Sequence, residues 1–249
     1  MANRPCLLPD DPHAPFPPPA SALRQPDGLL AVGGDLSVPR LLAAYRAGIF
    51  PWYSAGQPIL WWSPDPRMVF RTDAVHLSSR FVRELRRSQW QARADTAFDA
   101  VLAACAETPR PGQHGTWITP QMRLAYSRLH QLGHAHSVEV FDADGALVGG
   151  IYGVAIGRMF FGESMFSSRS GGSKVALAML ARRLHDWGWP LLDAQVENPH
   201  LSSLGGEAWP RPRFLETIGG LVDLPGLDGS WEAAFGAPKA SELAETQLR

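Results

Sequence analysis

The chain has 249 residues, of which 45% are hydrophobic, so it is long and apolar enough to form one large domain or two modest ones. Its 23 basic and 24 acidic residues nearly cancel, so a nucleic acid or a membrane would have to be bound by a local patch. Only two cysteines are present, Cys6 and Cys105, which argues against a disulfide scaffold and against a thiolate zinc site.

The N-terminal segment lacks the features of a secretory signal. It contains Asp10, Asp11 and many prolines, and it has no apolar stretch. No apolar run in the chain approaches the roughly 20 residues that cross a membrane. We therefore expect a soluble, cytoplasmic protein without a membrane partner.

The first elements are an extended segment and one helix. Residues 1–27 are rich in proline and are expected to be extended. A helix is predicted after Ser37, which can cap it, with Pro39 in its first turn and Gly48 at its end. A segment rich in tryptophan and proline follows through Pro66, where we place a domain boundary.

Three further helices are predicted, at 76–88, 96–108 and 119–133. The second can be capped by Asp95 or Thr96. The third has Thr119 as its cap and Gly133 as its stop signal.

The apolar period then changes to two, which predicts a three-stranded antiparallel meander between His136 and Phe166. The remaining predicted elements are a helix at 173–187, a strand at 190–196, a helix at 214–220 and a frayed tail at 237–249.

This order of elements is similar to the core of the GNAT acyltransferases. The analogy predicts a fold and gives no function by itself. We therefore expect an α/β (α+β) protein with a small N-terminal α/β domain, 1–66, and a GNAT-like domain with a mixed sheet, 67–249.

The loop before the 173–187 helix has the composition of a phosphate-binding loop but not its order. Lys174 follows Ser173 instead of preceding it, and no glycine stands at the upstream spacing of a P-loop. The loop is also a poor match to the coenzyme A loop of GNAT proteins, since only Arg169 and adjacent glycines are present. Ser173 either caps the helix or helps its free N–H groups to hold an anion or an ester oxygen.

A polar pair interrupts the apolar strand at 190–196. Asp193 and Gln195 share one face of this strand, where unpaired polar groups are costly. Glu163 ends the preceding strand and can reach the same crevice. The structural alternative is that Asp193 caps a loop and Gln195 binds backbone.

Several long segments together resemble the leucyl/phenylalanyl-tRNA–protein transferases of bacteria, in the order of that family and over roughly residues 20–215. The segments are GLLAVGGDLSVPRLLAAYRAGIFPW, ILWWSPDPR, GTWIT, RLHQLGHAHSVEV, GGIYGVAIG, FFGESMFS and LLDAQVEN.

The resemblance implies an enzyme that moves Leu or Phe from aminoacyl-tRNA to the N-terminal Arg or Lys of a protein, which marks the product for degradation. It implies that Asp193, Gln195 and Glu163 are the catalytic residues. Gln195 would accept a hydrogen bond from the attacking amine, and Asp193 would polarise Gln195 and make the site anionic. Glu163 would attract the cationic acceptor. The group that takes the amine proton stays open.

The resemblance also implies a site for the aminoacyl-adenosine end of the donor. Trp52 and Trp117 match tryptophans at the terminal adenosine, where base stacking contributes about 1–3 kcal/mol. Trp61 and Trp62 are assigned to the core. The remaining candidates for this site are Ile151, Phe160, Met165, Leu180, Leu192 and Ser173.

Four arginines form the densest basic cluster of the sequence and are the candidates for binding the tRNA body. They are Arg80, Arg83, Arg86 and Arg87. Three of them are spaced to share one helical face. Such contacts would be salt-sensitive and nearly independent of tRNA body sequence, although a charge run is more often only a solvated face.

No metal or cofactor is expected. His130, His134 and His136 are close in sequence, but no Cys or carboxylate completes a ligand set, so structural roles are favoured. The resemblance implies neither metal nor coenzyme A, and the sequence shows no sign of a stable partner protein.

Two rival functions are kept. The first is a coenzyme A-dependent N-acetyltransferase, which the fold analogy favours and the loop disfavours. The second is a non-catalytic module that binds cationic N-termini or tRNA.

Overall fold

The computed structural model describes residues 4–108 and 116–246. The strands are β1 (Cys6–Leu8), β2 (Leu29–Gly33), β3 (Phe50–Pro51), β4 (Leu60–Trp62), β5 (Arg67–Arg71), β6 (Gln91–Ala94), β7 (Ala135–Phe141), β8 (Leu147–Ile156), β9 (Met159–Ser167), β10 (Leu191–Gln195) and β11 (Glu207–Trp209). The α-helices are α1 (Val38–Arg46), α2 (Ser79–Leu85), α3 (Phe98–Glu107), α4 (Pro120–Gln131), α5 (Gly172–Asp186), α6 (Pro199–Ser203), α7 (Arg211–Leu221), α8 (Trp231–Phe235) and α9 (Leu243–Thr246).

The N-terminal part folds around a small sheet of strand order β1-β2-β4-β3. Its helix α1 forms where it is predicted, after Ser37 and with a proline near its start. Gly48 follows the helix with φ of 70°, a left-handed conformation that glycine adopts without strain. The chain then returns directly into β3.

The larger sheet has the order β11-β5-β10-β9-β8-β7-β6. The predicted meander is confirmed as β7, β8 and β9, which pair in antiparallel fashion. The strand β10 is parallel to β9 and antiparallel to β5, so the sheet is mixed. The expected α+β class with a mixed sheet is confirmed.

Apolar side chains alternate between the two faces of the larger sheet. Phe160 and Leu192 face α2 and α5, whereas Phe161 and Leu191 face α1, α3, α4 and α7. The second of these cores also contains Tyr45 from the N-terminal part. The two sheets therefore share one apolar core.

The predicted boundary at residue 66 lies between β4 of the small sheet and β5 of the large one. Because the core crosses this boundary, the division into 1–66 and 67–249 stays a prediction.

The N-terminal cap of α3 differs from the prediction. The N-cap of α3 is Ala97, and neither Asp95 nor Thr96 caps this helix. Instead, the Asp95 carboxylate accepts hydrogen bonds from Ser137 N and His136, so it ties the end of β6 to β7. Asp95 therefore binds residues of β7 instead of capping α3. The strand β6 itself was not predicted.

The C-terminal tail is not frayed through residue 246, contrary to the prediction. Ala240 and Leu243 are buried in the core that contains α5, and Ala240 N donates to Trp90 O. The prediction for the last three residues lies outside the described ranges. Residues 237–246 are ordered because they cover an apolar face, which their sequence does not reveal.

The helix α5 packs unusually close to β8. A Cβ atom added to Gly172 would lie 2.1 Å from Val148 O, and one added to Gly149 would lie 2.3 Å from the carbonyl carbon of Gly172. Only glycine at both positions permits this approach. Within the described ranges, none of the helices combines the length and the apolar character that crossing a bilayer would need.

Candidate active site

A cavity of about 550 Å³ opens where β9 and β10 separate. Their parallel pairing ends at Phe161 and Asp193, and the strands diverge beyond that point. Glu163 and Gln195 each lie two residues further along and line the opening. Crevices at the carboxyl ends of parallel strands are common binding sites, and this volume is typical for a ligand.

Glu163 is buried in the cavity wall and contacts three hydrogen-bond donors. Its Oε1 accepts from the Tyr45 hydroxyl and from Gln195 Nε2, each at 2.7 Å. Its Oε2 accepts from the Tyr126 hydroxyl at 2.7 Å. The carboxyl group therefore links α1, α4 and the end of β10.

Burial raises the pKa of Glu163 from 4.5 to about 7, although hydrogen bonds from Tyr126, Tyr45 and Gln195 oppose the shift. The two phenol oxygens lie 2.5 Å apart, close enough to need a proton between them. With both phenol protons pointing at Glu163, none lies between the phenols; a protonated carboxyl donates to one phenol oxygen and frees that phenol to donate to the other. The geometry thus agrees with a raised pKa.

Asp193 is fully buried and paired with Arg67, a residue not predicted to belong to the site. Arg67 Nε donates to Oδ1 at 2.8 Å, and Nη2 donates to Oδ2 at 2.6 Å. The guanidinium group lies 4.7 Å from the ring centroids of Phe50 and Phe214 and donates to Gly48 O. This arrangement neutralises Asp193, so the expectation that Asp193 makes the site anionic is wrong.

Asp193 also does not contact the side chain of Gln195, contrary to the expected polarisation. Its Oδ1 accepts the backbone N–H of Gln195 at 2.9 Å. Gln195 has φ of 64°, and the pairing register shifts between these two residues. The carboxylate therefore supports an unusual backbone conformation that aims the amide at Glu163.

The structure brings five of the eight donor-site candidates to the cavity. They are Trp52, Trp117, Ile151, Met165 and Leu192. They surround the opening with aromatic and aliphatic surface next to the polar cluster.

The other three candidates do not line the cavity. Phe160 and Leu180 are buried in the core that contains α5. Ser173 is not the cap of α5, because Gly171 is the N-cap; the Ser173 hydroxyl contacts Ser167 at 2.9 Å. Trp61 is fully buried, as assigned, and Trp62 packs partly buried at the edge of the core.

Several further residues of the site were not predicted, and one signal could have found the two tyrosines among them. Leu177 and Glu197 line the cavity, and Tyr45 and Tyr126 bind its buried carboxyl group. A buried tyrosine on the apolar face of a helix needs a partner for its hydroxyl. This rule points to a polar site, but the sequence does not say which carboxylate is involved.

The four arginines of the predicted tRNA site are exposed at and just beyond α2, and we call them the α2 patch. The helix ends at Leu85, so Arg87 lies outside it and does not continue the predicted helical face. Arg80 Nε lies 3.0 Å from a Glu84 oxygen in an exposed ion pair. The helical part of the α2 patch is therefore shorter than expected. The patch as a whole is still strongly basic.

Two of the three histidines stack on aromatic rings. His130 stacks on Phe98 with centroids 4.1 Å apart, and His136 stacks on Trp231 at 4.0 Å. Burial lowers the pKa of His134, with a further contribution from His136. Across the described part of the chain, no three His, Cys, Asp or Glu side chains group as a metal ion would need.

Solved structures with some likeness include a GCN5-related N-acetyltransferase from Kribbella flavida, at 12% identity and a TM-score of 0.36, with 67% of this chain and 58% of that chain covered. Another is L-PGS from Bacillus licheniformis, at 9% identity and a TM-score of 0.41, with 78% and 73% covered.

Sequence relatives are much closer. The chain is 67% identical to the leucyl/phenylalanyl-tRNA–protein transferase of Xanthomonas axonopodis pv. citri (strain 306), over 98% of both chains. It is 61% identical to that of Xylella fastidiosa (strain 9a5c), over 98% of this chain and all of the relative.

Two family models cover most of the chain. The model of the leucyl/phenylalanyl-tRNA protein transferase matches residues 69–219, and the model of its N-terminal domain matches residues 34–65. These matches run through the strands and helices that form the cavity. The chain belongs to the leucyl/phenylalanyl-tRNA–protein transferase family.

Proposed function

We propose that the cavity transfers Leu or Phe from aminoacyl-tRNA to the α-amine of proteins that begin with Arg or Lys, in the cytoplasm. The product then carries a new N-terminal residue that marks it for degradation. The observation that carries the proposal is one cavity in which the Glu163–Gln195 pair adjoins an apolar pocket flanked by Trp52 and Trp117.

The apolar side of the cavity suits the donor's amino acid. Ile151, Met165, Leu177 and Leu192 present aliphatic or thioether surface, and a methionine adapts easily to side chains of different shape. Such a pocket accepts both Leu and Phe and rejects β-branched Ile and Val by shape alone, at about 1–3 kcal/mol per misfit.

The tryptophans suit the terminal adenosine of the donor. Trp52 is partly exposed at the rim of the cavity. The backbone carbonyl oxygen of Trp52 accepts a hydrogen bond from Trp62 Nε1 at 2.7 Å. An adenine ring stacked on this indole would place the ester carbonyl towards the polar wall. Coenzyme A is disfavoured as donor, because two N–H groups at the start of α5 are already used: Gly172 N donates to Arg169 O, and Ser173 N donates to Ser167 Oγ.

Gln195 suits the acceptor amine. Because its Nε2 is committed to Glu163, its amide oxygen is the atom left to accept a hydrogen bond from the α-amine. The amine nitrogen, so aimed, attacks the ester carbonyl carbon through its lone pair. The bond from that carbon to the ribose oxygen breaks, and the ribose hydroxyl leaves with the proton that the amine loses.

The test is mass spectrometry of a peptide that begins with Arg, incubated with the protein and leucyl-tRNA. A parallel reaction contains acetyl-coenzyme A instead. We expect a leucine-sized mass gain with leucyl-tRNA only, and none with an N-acetylated peptide. An acetyl-sized gain would support the acetyltransferase, and tRNA binding without any gain would support the binding module.

A further inference from the structure

The start of α5 lies between the α2 patch and the cavity. Its N-cap Gly171 packs on Phe81 of α2, since a Cβ atom added there would lie 2.5 Å from Phe81 Cε2. Leu177, two turns further along α5, lines the cavity. The first turns of α5 therefore form the surface that joins the two regions.

Lys174 occupies this joining surface. Its Nζ lies 5.6 Å from the centroid of the Phe81 ring, on the side of α2. On the other side, its charge acts on the cavity residue His200, whose pKa is lowered by burial first and by Lys174 second. Among the described residues, no carboxylate lies within the 4.0 Å of an ion pair with Lys174.

Under the proposed function, the tRNA donor has to bring its backbone phosphates past the first turns of α5. The cavity lining contains no Arg or Lys, so the cavity itself offers no permanent cation to a nucleic acid backbone. A single strand that reaches it from the α2 patch carries one negative charge per nucleotide, and proteins meet such strands with a line of positive charge. Lys174 provides that charge between patch and cavity.

We propose that Lys174 binds a backbone phosphate in the single-stranded 3′ end of the aminoacyl-tRNA, between the α2 patch and the cavity. The inference rests on the proposed function, because it needs tRNA as the donor. The competing view is that Lys174 only holds α5 on α2 through its contact with Phe81.

The experiment compares Lys174→Gln and Lys174→Arg with Arg128→Gln. Arg128 is an exposed cation on α4, which packs on the opposite face of the large sheet. Transfer to an Arg-initiated peptide is measured with leucyl-tRNA over a range of salt concentrations. It is repeated with 3′-O-leucyl-adenosine, a donor that has no phosphate.

For Lys174→Gln we expect the KM for leucyl-tRNA to rise roughly fourfold near 0.15 M salt. The slope of log KM against log salt concentration should fall by about 0.7, because one phosphate contact to a single strand is lost. We expect kcat to be unchanged and the phosphate-free donor to be used as well as by the unchanged protein. Lys174→Arg should restore the KM, and Arg128→Gln should change nothing.

Two outcomes would overturn the inference. One is an unchanged salt slope in Lys174→Gln. The other is an equal loss with both donors, which would mean that Lys174 acts through the packing of α5. If the unchanged protein transfers no leucine, the proposed function fails, and equilibrium binding of deacylated tRNA to the same variants decides the inference separately.

Discussion

Gln195 combines an unusual backbone conformation with the amide oxygen that we assign to the acceptor amine. Its φ of 64° is supported by the Asp193 carboxylate, which accepts its N–H, and its side chain is held by Glu163. A backbone contact and a side-chain contact thus together set the direction of the Gln195 amide oxygen. Under the proposed function, an amide held in this way aims the amine and need not act as a base.

Replacing Gln195 tests that role. We expect Gln195→Ala and Gln195→Gly to lower kcat for leucine transfer by at least about 100-fold, because nothing then aims the amine. Glycine adopts φ of 64° without strain, so Gln195→Gly should be the more stable of the two. Kinetics and urea unfolding measure both effects. Activity that follows stability across the pair would contradict the assignment.

The pKa of Glu163 leads to a prediction about stability. Its folded pKa of about 7 lies above the unfolded value of 4.5, so the folded protein binds a proton more tightly between these values. The contribution of Glu163 should therefore lower the free energy of unfolding by roughly 3 kcal/mol as pH rises from 4.5 to 7. Urea unfolding at several pH values should show this fall, and Glu163→Gln should remove it. Parallel curves for both proteins would refute the shift.

The pairing of the strands β5 and β10 depends on the buried ion pair between them. Arg67 and Asp193 are both fully buried, and Arg67 additionally packs between Phe50 of β3 and Phe214 of α7. A buried pair of this kind adds little net stability, but either partner alone would be an uncompensated charge. It therefore selects one register of these strands over others.

A double-mutant cycle measures this pair. We expect Arg67→Met to lower the free energy of unfolding by about 3–5 kcal/mol, because Asp193 is left buried and unpaired. The double variant Arg67→Met/Asp193→Leu should lose clearly less than the sum of the single variants. As a control, the exposed pair Arg46–Asp223, at 2.7 Å, should contribute less than about 1 kcal/mol. Additive losses at the buried pair would contradict the coupling.

At the scale of the whole molecule, one of the two apolar cores crosses the predicted boundary. Tyr45 and Phe50 from the N-terminal part pack in the same cluster as Tyr126 and Phe214. Tyr45 also binds Glu163 of the large sheet. Both sides of the cavity therefore depend on the contact between the two sheets.

We expect heat to unfold the protein in one transition, with equal calorimetric and van't Hoff enthalpies. The reason is that neither part can lose its fold without exposing the shared core. Differential scanning calorimetry is the measurement. Two separate transitions would instead support independent domains at 1–66 and 67–249.

Much of the architecture was predictable from the sequence because it depends on local periodicity. The alternation from His136 to Phe166 determined the meander, and the polar pair in an apolar strand indicated a site at the end of β10. Long family motifs indicated the transferase family, because such motifs are read directly from the order of residues.

Only the tertiary structure decided how the polar groups are paired. Arg67 and Asp193 are 126 positions apart, and Tyr45 and Glu163 are 118 apart, so no spacing rule connects them. A buried charge must find a partner, but its identity depends on which elements the fold brings together. The sequence therefore determined the meander, the strand β10 and part of the cavity lining, and the three-dimensional packing determined which polar groups are paired and where Gln195 points.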